Sequence, residues 1–192
     1  NGFTGQLPPE KTEGLDKFTE CRQLIDELGR HPSMSQSTLL SNLKTVEELL
    51  NAGFQTVLFA NNICPVLVSV CKYHAESLSV CHVALSLMEK LCHQNSPCAT
   101  ALLELGVWAC WAELLSKRRT DPDVCVTCAT LMLNLLSTPE EERRAALELF
   151  DAHHGYDLLI AALHTHQLDV QVCRAVHFAV IQAADKTFNT ES

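Results

Sequence analysis

Apolar side chains along this chain recur at intervals of three and four, the spacing that lines one face of a helix. Val124, Cys128, Leu131 and Leu135 mark the clearest stretch, Asp121–Leu136. Its start is explicit: Asp121 can accept from the free N–H groups of a first turn, and Pro122 stands at the first helical position, where no N–H is needed. The same periodicity predicts a helix over Leu15–Leu28, with Phe18, Cys21, Ile25 and Leu28 apolar and Gly29 as its cap. It predicts another over Ser35–Asn51, with Leu39, Leu40, Leu43, Val46 and Leu50 inward. Shorter helices follow over Phe54–Asn61, Cys64–His74 and Leu78–His93.

The pattern also repeats. A shift of 44 residues lays Val80, Cys81, Leu87, Met88 and Leu91 over Val124, Cys125, Leu131, Met132 and Leu135. A shift of 46 in the other direction lays Val170, Ala175 and Ile181 over Val124, Ala129 and Leu135. Each copy is preceded by a short helix, a corner and a second helix. Gly106 supplies one corner, and Asn62, the next best residue for a left-handed turn, lies 44 positions before it. Phe150–Gly155, then Leu159 and Leu163, repeats that piece at a shift of 49, with the extra residues in Pro139–Arg144. A period of about 40–47 residues is that of stacked helical repeats. The expected organisation is an arm over 1–14, one repeat domain over 15–186 and a polar tail over 187–192. The domain divides into an incomplete repeat 15–52 and repeats 53–94, 95–137 and 138–186. Asn95-Ser96-Pro97 opens the third of these, and Thr138 with Glu141 has capping-box spacing at the start of the last. Units of this kind lack cores of their own and stack on their neighbours.

Within this order, LLELGVWACWAELLS (Leu102–Ser116) and LMLNLLS (Leu131–Ser137) resemble the armadillo repeat. DVQVCRA (Asp169–Ala175) also resembles a HEAT helix, and the two subtypes stay open. The resemblance covers residues 35–186 and implies an all-α, right-handed α-solenoid of about three and a half armadillo/HEAT-like repeats. It also implies a concave surface lined by the third helices, where a Trp and an Asn four residues later hold extended peptides. Here the Trp positions carry Ser86, Thr130 and Val176, and the Asn positions carry Lys90, Asn134 and Val180. Only Asn134 matches, which argues against nuclear-signal binding of the importin-alpha kind. The candidate partner-binding residues are therefore Ser86, Lys90, Thr130, Asn134 and Val176. Trp108 and Trp111 fall on the middle helix and read as core.

Composition narrows the classes further. Aromatic residues are only 6% while 47% are hydrophobic, which suits closely stacked helices. No run of 18 apolar residues occurs, so no membrane span is expected. The net charge of −9 disfavours nucleic acid. The one dense basic cluster, Lys117-Arg118-Arg119, sits at a helix end where cations meet the dipole. Ten cysteines include a single CxxC, Cys125 and Cys128, placed inside a helix rather than a zinc knuckle. They read as small buried hydrophobes of a reducing, cytoplasmic compartment, with no metal and no cofactor expected. His153-His154 and His164-Thr-His166 fall in turns. Neither a phosphate loop nor a GxSxG or HExxH motif is present, so no catalytic residue is expected.

The resulting expectation is a non-catalytic scaffold or adaptor that binds a partner protein or peptide on the solenoid surface. The alternative is a regulatory or docking arm of a larger kinase- or GTPase-type protein, or a subunit of a large assembly. A zinc- or redox-dependent module is the third option. The first residue is Asn rather than Met, in keeping with a fragment of a longer chain.

Overall fold

A computed structural model describes the backbone of residues 9–188 and the side chains of residues 16–184. The expected polar ends, 1–8 and 189–192, lie outside the described residues. Within them the protein is all-α, with eleven α-helices, one 3-10 turn and no strand. It falls into two compact units divided between Ile63 and Cys64.

The first unit holds α1 (Pro9–Leu28), a 3-10 turn at His31–Ser33, α2 (Gln36–Asn51) and α3 (Gln55–Ala60). α1 buries Cys21, Leu24, Ile25 and Leu28 against α2 and α3. It begins at Pro9, six residues before the predicted start, so part of the predicted arm is helical. Phe18 stays 40% exposed, because the buried stripe runs through Leu24 instead. Gly29 closes the helix through its N–H to the Ile25 carbonyl, 2.8 Å, without entering the left-handed region. Ser35 caps α2 by accepting from the Thr38 N–H. Leu39, Leu43, Val46 and Leu49 form the inner stripe of α2, leaving Leu40 and Leu50 half-buried.

The second unit contains nearly all of α4 (Ile63–Tyr73), then α5 (Leu78–Cys92), α6 (Ser96–Glu104), α7 (Val107–Arg118) and α8 (Pro122–Leu135). It ends with α9 (Glu140–Ala152), α10 (Gly155–Thr165) and α11 (Val170–Phe188), so the helix runs into the predicted tail. α8 lies at the centre, packed against both α5 and α11. Its start is built as its sequence indicates: Asp121 accepts from the Asp123 N–H at 3.2 Å, and Pro122 opens the helix. Val124, Cys128, Leu131 and Leu135 are fully buried. Trp111 adds a bond from its indole N–H to the Cys128 carbonyl, 2.8 Å.

Each group of three helices turns a corner at a residue with positive φ. These are Asn62 at 62°, Gly106 at 77° and His154 at 56°. At Gly106 the chain bends by 82° between α6 and α7. The spacing is 44 residues and then 48, so the predicted shift of 49 onto Gly155 is corrected by one residue. Gly155 has a different duty. A Cβ there would lie 2.2 Å from the Phe150 ring. In the preceding repeat the corresponding pair is Leu102 and Val107, both fully buried. The larger ring in one copy is matched by a missing side chain in the other.

The same shift of 48 governs α8 and α11, correcting the predicted 46. Asp169 accepts from the Gln171 and Val172 N–H groups as Asp121 does from Asp123. The Cys173 thiol donates to the His166 carbonyl at 3.3 Å, as Cys125 does to Arg119 at 3.2 Å and Cys81 to His74 at 3.3 Å. Val124, Cys128, Leu131 and Leu135 then meet Val172, Val176, Ala179 and Ala183, and all eight are fully buried. The predicted capping box at Thr138 is also absent: Thr138 donates to the Leu135 carbonyl, and Pro139 precedes the first turn of α9.

Candidate partner-binding face

With the register corrected, one set of half-covered positions recurs on α5, α8 and α11. Ser86 meets Thr130 and Phe178; Lys90 meets Asn134 and Gln182; His82 meets Val126 and Arg174. None of these nine side chains is buried in the folded protein. Positions four apart share a helix face, and α5, α8 and α11 are successive neighbours, so the positions form a continuous face three helices wide.

Two polar stitches fix the α5–α8 half. His82 Nε2 and Thr127 Oγ1 are 3.3 Å apart. The Asn134 amide donates from Nδ2 to the Glu89 carbonyl at 3.0 Å and to its carboxylate Oε1 at 3.2 Å. Asn134 is thus pinned by its donor end. Its Oδ1 remains an acceptor with no bond among the described residues. Burial raises the Glu89 carboxyl above its ordinary value, opposed by the Asn134 bond and by the charges of His93 and Lys90. The Thr130 hydroxyl bonds back along its own helix, donating to the Val126 carbonyl at 2.9 Å. Along the α8–α11 half runs a groove of about 350 Å³, lined by Val126, Gln171, Arg174, Ala175 and Phe178.

Of the five residues singled out by sequence, Ser86, Lys90, Thr130 and Asn134 come together on this face. Val176 does not. It is 0% exposed, because it occupies the core position of Cys128 rather than the face position of Thr130. Phe178, 55% exposed, takes the place assigned to it. Gln182 likewise replaces Val180. Phe178, Gln182, Glu89 and His82 were missed, yet the signal was present: aligning Asp169-x-x-Val172-Cys173 on Asp121-x-x-Val124-Cys125 gives the 48-residue shift directly.

The other singled-out residues sit elsewhere. Trp108 and Trp111 are 1% and 0% exposed and share an aromatic cluster with Phe150, ring centroids 5.2 and 5.4 Å from it. Lys117 pairs with Glu113 and Glu76, and Arg118 with Asp121. Nine of the ten cysteines are buried, and none is disulfide-bonded. Among the described residues, no group of three or more His, Cys, Asp or Glu is arranged to hold a metal ion. No single helix in this range is long and apolar enough to cross a membrane.

No protein-family model, curated protein or solved structure matches this chain.

Proposed function

We propose that the chain is a non-catalytic binding module, an armadillo-like α-solenoid whose α5–α8–α11 face holds an extended segment of a partner protein. The observation that carries this reading is the recurrence of one half-covered face on three successive helices. Such a face offers what an extended peptide requires. Asn134 Oδ1 and the Gln182 amide can bond peptide N–H and C=O groups. The groove beside Phe178 and Val126 can take an apolar side chain. Recognition that reads backbone as well as side chains suits a preformed surface with little to reorganise on binding. The abundance of unpaired buried thiols supports a reducing, cytoplasmic setting.

Site-specific photo-crosslinking tests the assignment. A photoreactive residue at Thr130 should join a partner in native extract, and one at the exposed Ala109 of α7 should not. Phe178→Asp should abolish the Thr130 adduct without altering the melt. Equal adducts from both positions, or adducts indifferent to Phe178→Asp, would overturn it.

A second reading rests on the outer side of α11. Val170 is 78% exposed and Ile181 53%, with Leu168 at 97% in the preceding turn. An apolar edge of this kind favours a docking arm covered by another part of a larger protein or assembly. In that case Ile181→Asp would disrupt assembly while sparing the Thr130 adduct.

A further inference from the structure

The α5–α8–α11 face runs against the charge of the chain that carries it. The protein has 23 acidic and 14 basic residues, a net charge of −9. None of the nine face positions holds a carboxylate, while Lys90 and Arg174 each bring a fixed positive charge. Two acidic side chains stand on the described parts of these helices, and both lie off the nine positions. Glu89 gives its carboxylate to the Asn134 amide, 3.2 Å from Nδ2. Asp123 sits in the first turn of α8 and does not line the groove beside Val126.

Arg174 is the group on which this charge turns. It is exposed, and it makes no hydrogen bond or ion pair among the described residues. It lines the groove of about 350 Å³ together with Val126, Ala175 and Phe178. Positions four apart are neighbours on a helix surface, so the guanidinium stands beside the apolar slot that Phe178 walls. A guanidinium offers two parallel N–H donors that match a carboxylate. An apolar side chain seated in the slot would shield such a pair from water and strengthen it. Lys90 lies two helix spacings and two turns away, roughly 22 Å, the reach of about seven extended residues.

We propose that the segment held on this face is acidic, with one large apolar side chain in the Val126–Ala175–Phe178 groove and a neighbouring carboxylate on Arg174. Further carboxylates along the segment meet the positive charge of Lys90. The occupant is a protein segment rather than a nucleic acid, because the slot beside Arg174 is apolar and the chain around the face is strongly acidic. The inference rests on the α5–α8–α11 face being the binding face, and it adds the chemistry of what binds there.

Fluorescence anisotropy on the full chain tests it with synthetic extended probes of about ten residues, long enough for that crossing. Three probes share a central Leu and differ only in flanks of Glu, Gln or Lys; a fourth keeps the Glu flanks and replaces Leu by Ser. The Glu-flanked Leu probe should bind about fivefold more tightly than its Gln counterpart, and the Lys probe more weakly than either. The advantage should shrink as salt is raised. Arg174→Glu, at an exposed position, should melt like wild type and reverse the order of the Glu and Lys probes. Phe178→Ala should weaken every Leu probe and leave the Ser probe unchanged. Glu and Gln probes that bind alike, both weakened by Phe178→Ala, would overturn the acidic preference while keeping the face. A Glu preference indifferent to Arg174→Glu, or binding of none of the probes, would overturn the proposal, and the Thr130 adduct would still decide the face by itself. A short oligothymidylate that binds more tightly than the Glu probe would assign the charge to phosphate and overturn it as well.

Discussion

The repeats α6–α8 and α9–α11 are two solutions to one packing problem, and they differ where their neighbours differ. α8 is held between α5 and α11, while α11 leaves Val170 and Ile181 more than half exposed. At the corner, Leu102 and Val107 fill the space in one copy, and Phe150 with Gly155 fills it in the other. The difference teaches that volume is conserved across a pair of positions rather than at each one. A residue-by-residue comparison therefore sees no similarity at the place where packing is most equivalent.

The largest expected effect comes from placing a charge on the shared core row. Leu131→Asp and Ala179→Asp, equivalent under the 48-residue shift, should each abolish cooperative melting, because both positions are 0% exposed and an unpaired buried carboxylate costs several kcal/mol. His177→Asp, equivalent to Leu131 only under a shift of 46, should melt like wild type, since His177 is exposed. Thermal melts followed by circular dichroism decide between the registers. A His177→Asp protein that unfolds beside a tolerant Ala179→Asp would restore the shorter shift.

Next in size is the corner pair. Gly155→Val drives a side chain into the Phe150 ring, a contact of 2.2 Å at Cβ, and should cost about 3 kcal/mol or more. Phe150→Leu alone should cost about 1–2 kcal/mol through the space it leaves. The double variant recreates the Leu102–Val107 combination and should recover most of the loss. A double-variant penalty equal to the sum of the singles, measured by urea denaturation, would show that the two positions do not exchange volume.

The third comparison concerns the corner residues themselves. His154 sits at φ 56°, where Gly106 sits at 77°, and a side chain in that region costs about 1–2 kcal/mol. Its contact with Asp157, 3.8 Å between largely exposed groups, offsets little of that. His154→Gly should stabilise by about 0.5–1 kcal/mol after the unfolded-state entropy of glycine is counted. That corresponds to roughly 1–4 °C in Tm. Asn62→Gly, with φ 62°, should gain less, since Asn tolerates the left-handed region. Equal gains would mean that the side chain plays no part in the corner.

These positions also mark what the sequence could and could not reveal. Helix identity and the caps at Asn95 and Asp121 were legible, because each depends on residues within one turn. The 44-residue shift was legible too, since Val80, Cys81, Leu87 and Leu91 keep their residue class in α8. The shift to α11 was not, because Cys128, Leu131 and Leu135 become Val176, Ala179 and Ala183, and smaller residues carry a weaker apolar signal. Exposed Val170 and Ile181 supplied a stronger but misleading one. Val176 was assigned to the face for that reason. The Asn134–Glu89 bond joins residues 45 apart, and no local pattern announces it.

The smallest effect isolates that bond, which α8 makes to α5 and which has no counterpart between α11 and α8 among the described residues. Burial raises the folded Glu89 pKa above its ordinary 4.5. For a carboxyl raised in the folded state, the folded protein binds more protons than the unfolded chain between the two values. Its favourable contribution is therefore present below the unfolded value and is lost as pH rises through the folded one. Glu89→Gln keeps an oxygen for the Asn134 amide and removes the charge. The variant should match wild type near pH 4 and exceed it at pH 7 by roughly 1–2 °C in Tm. Melts across that range check the sign. A variant less stable than wild type at pH 7 would show that the carboxylate bond to Asn134 outweighs the cost of burying the charge. The α5–α8 seam would then be held by an ionic stitch as well as by packing.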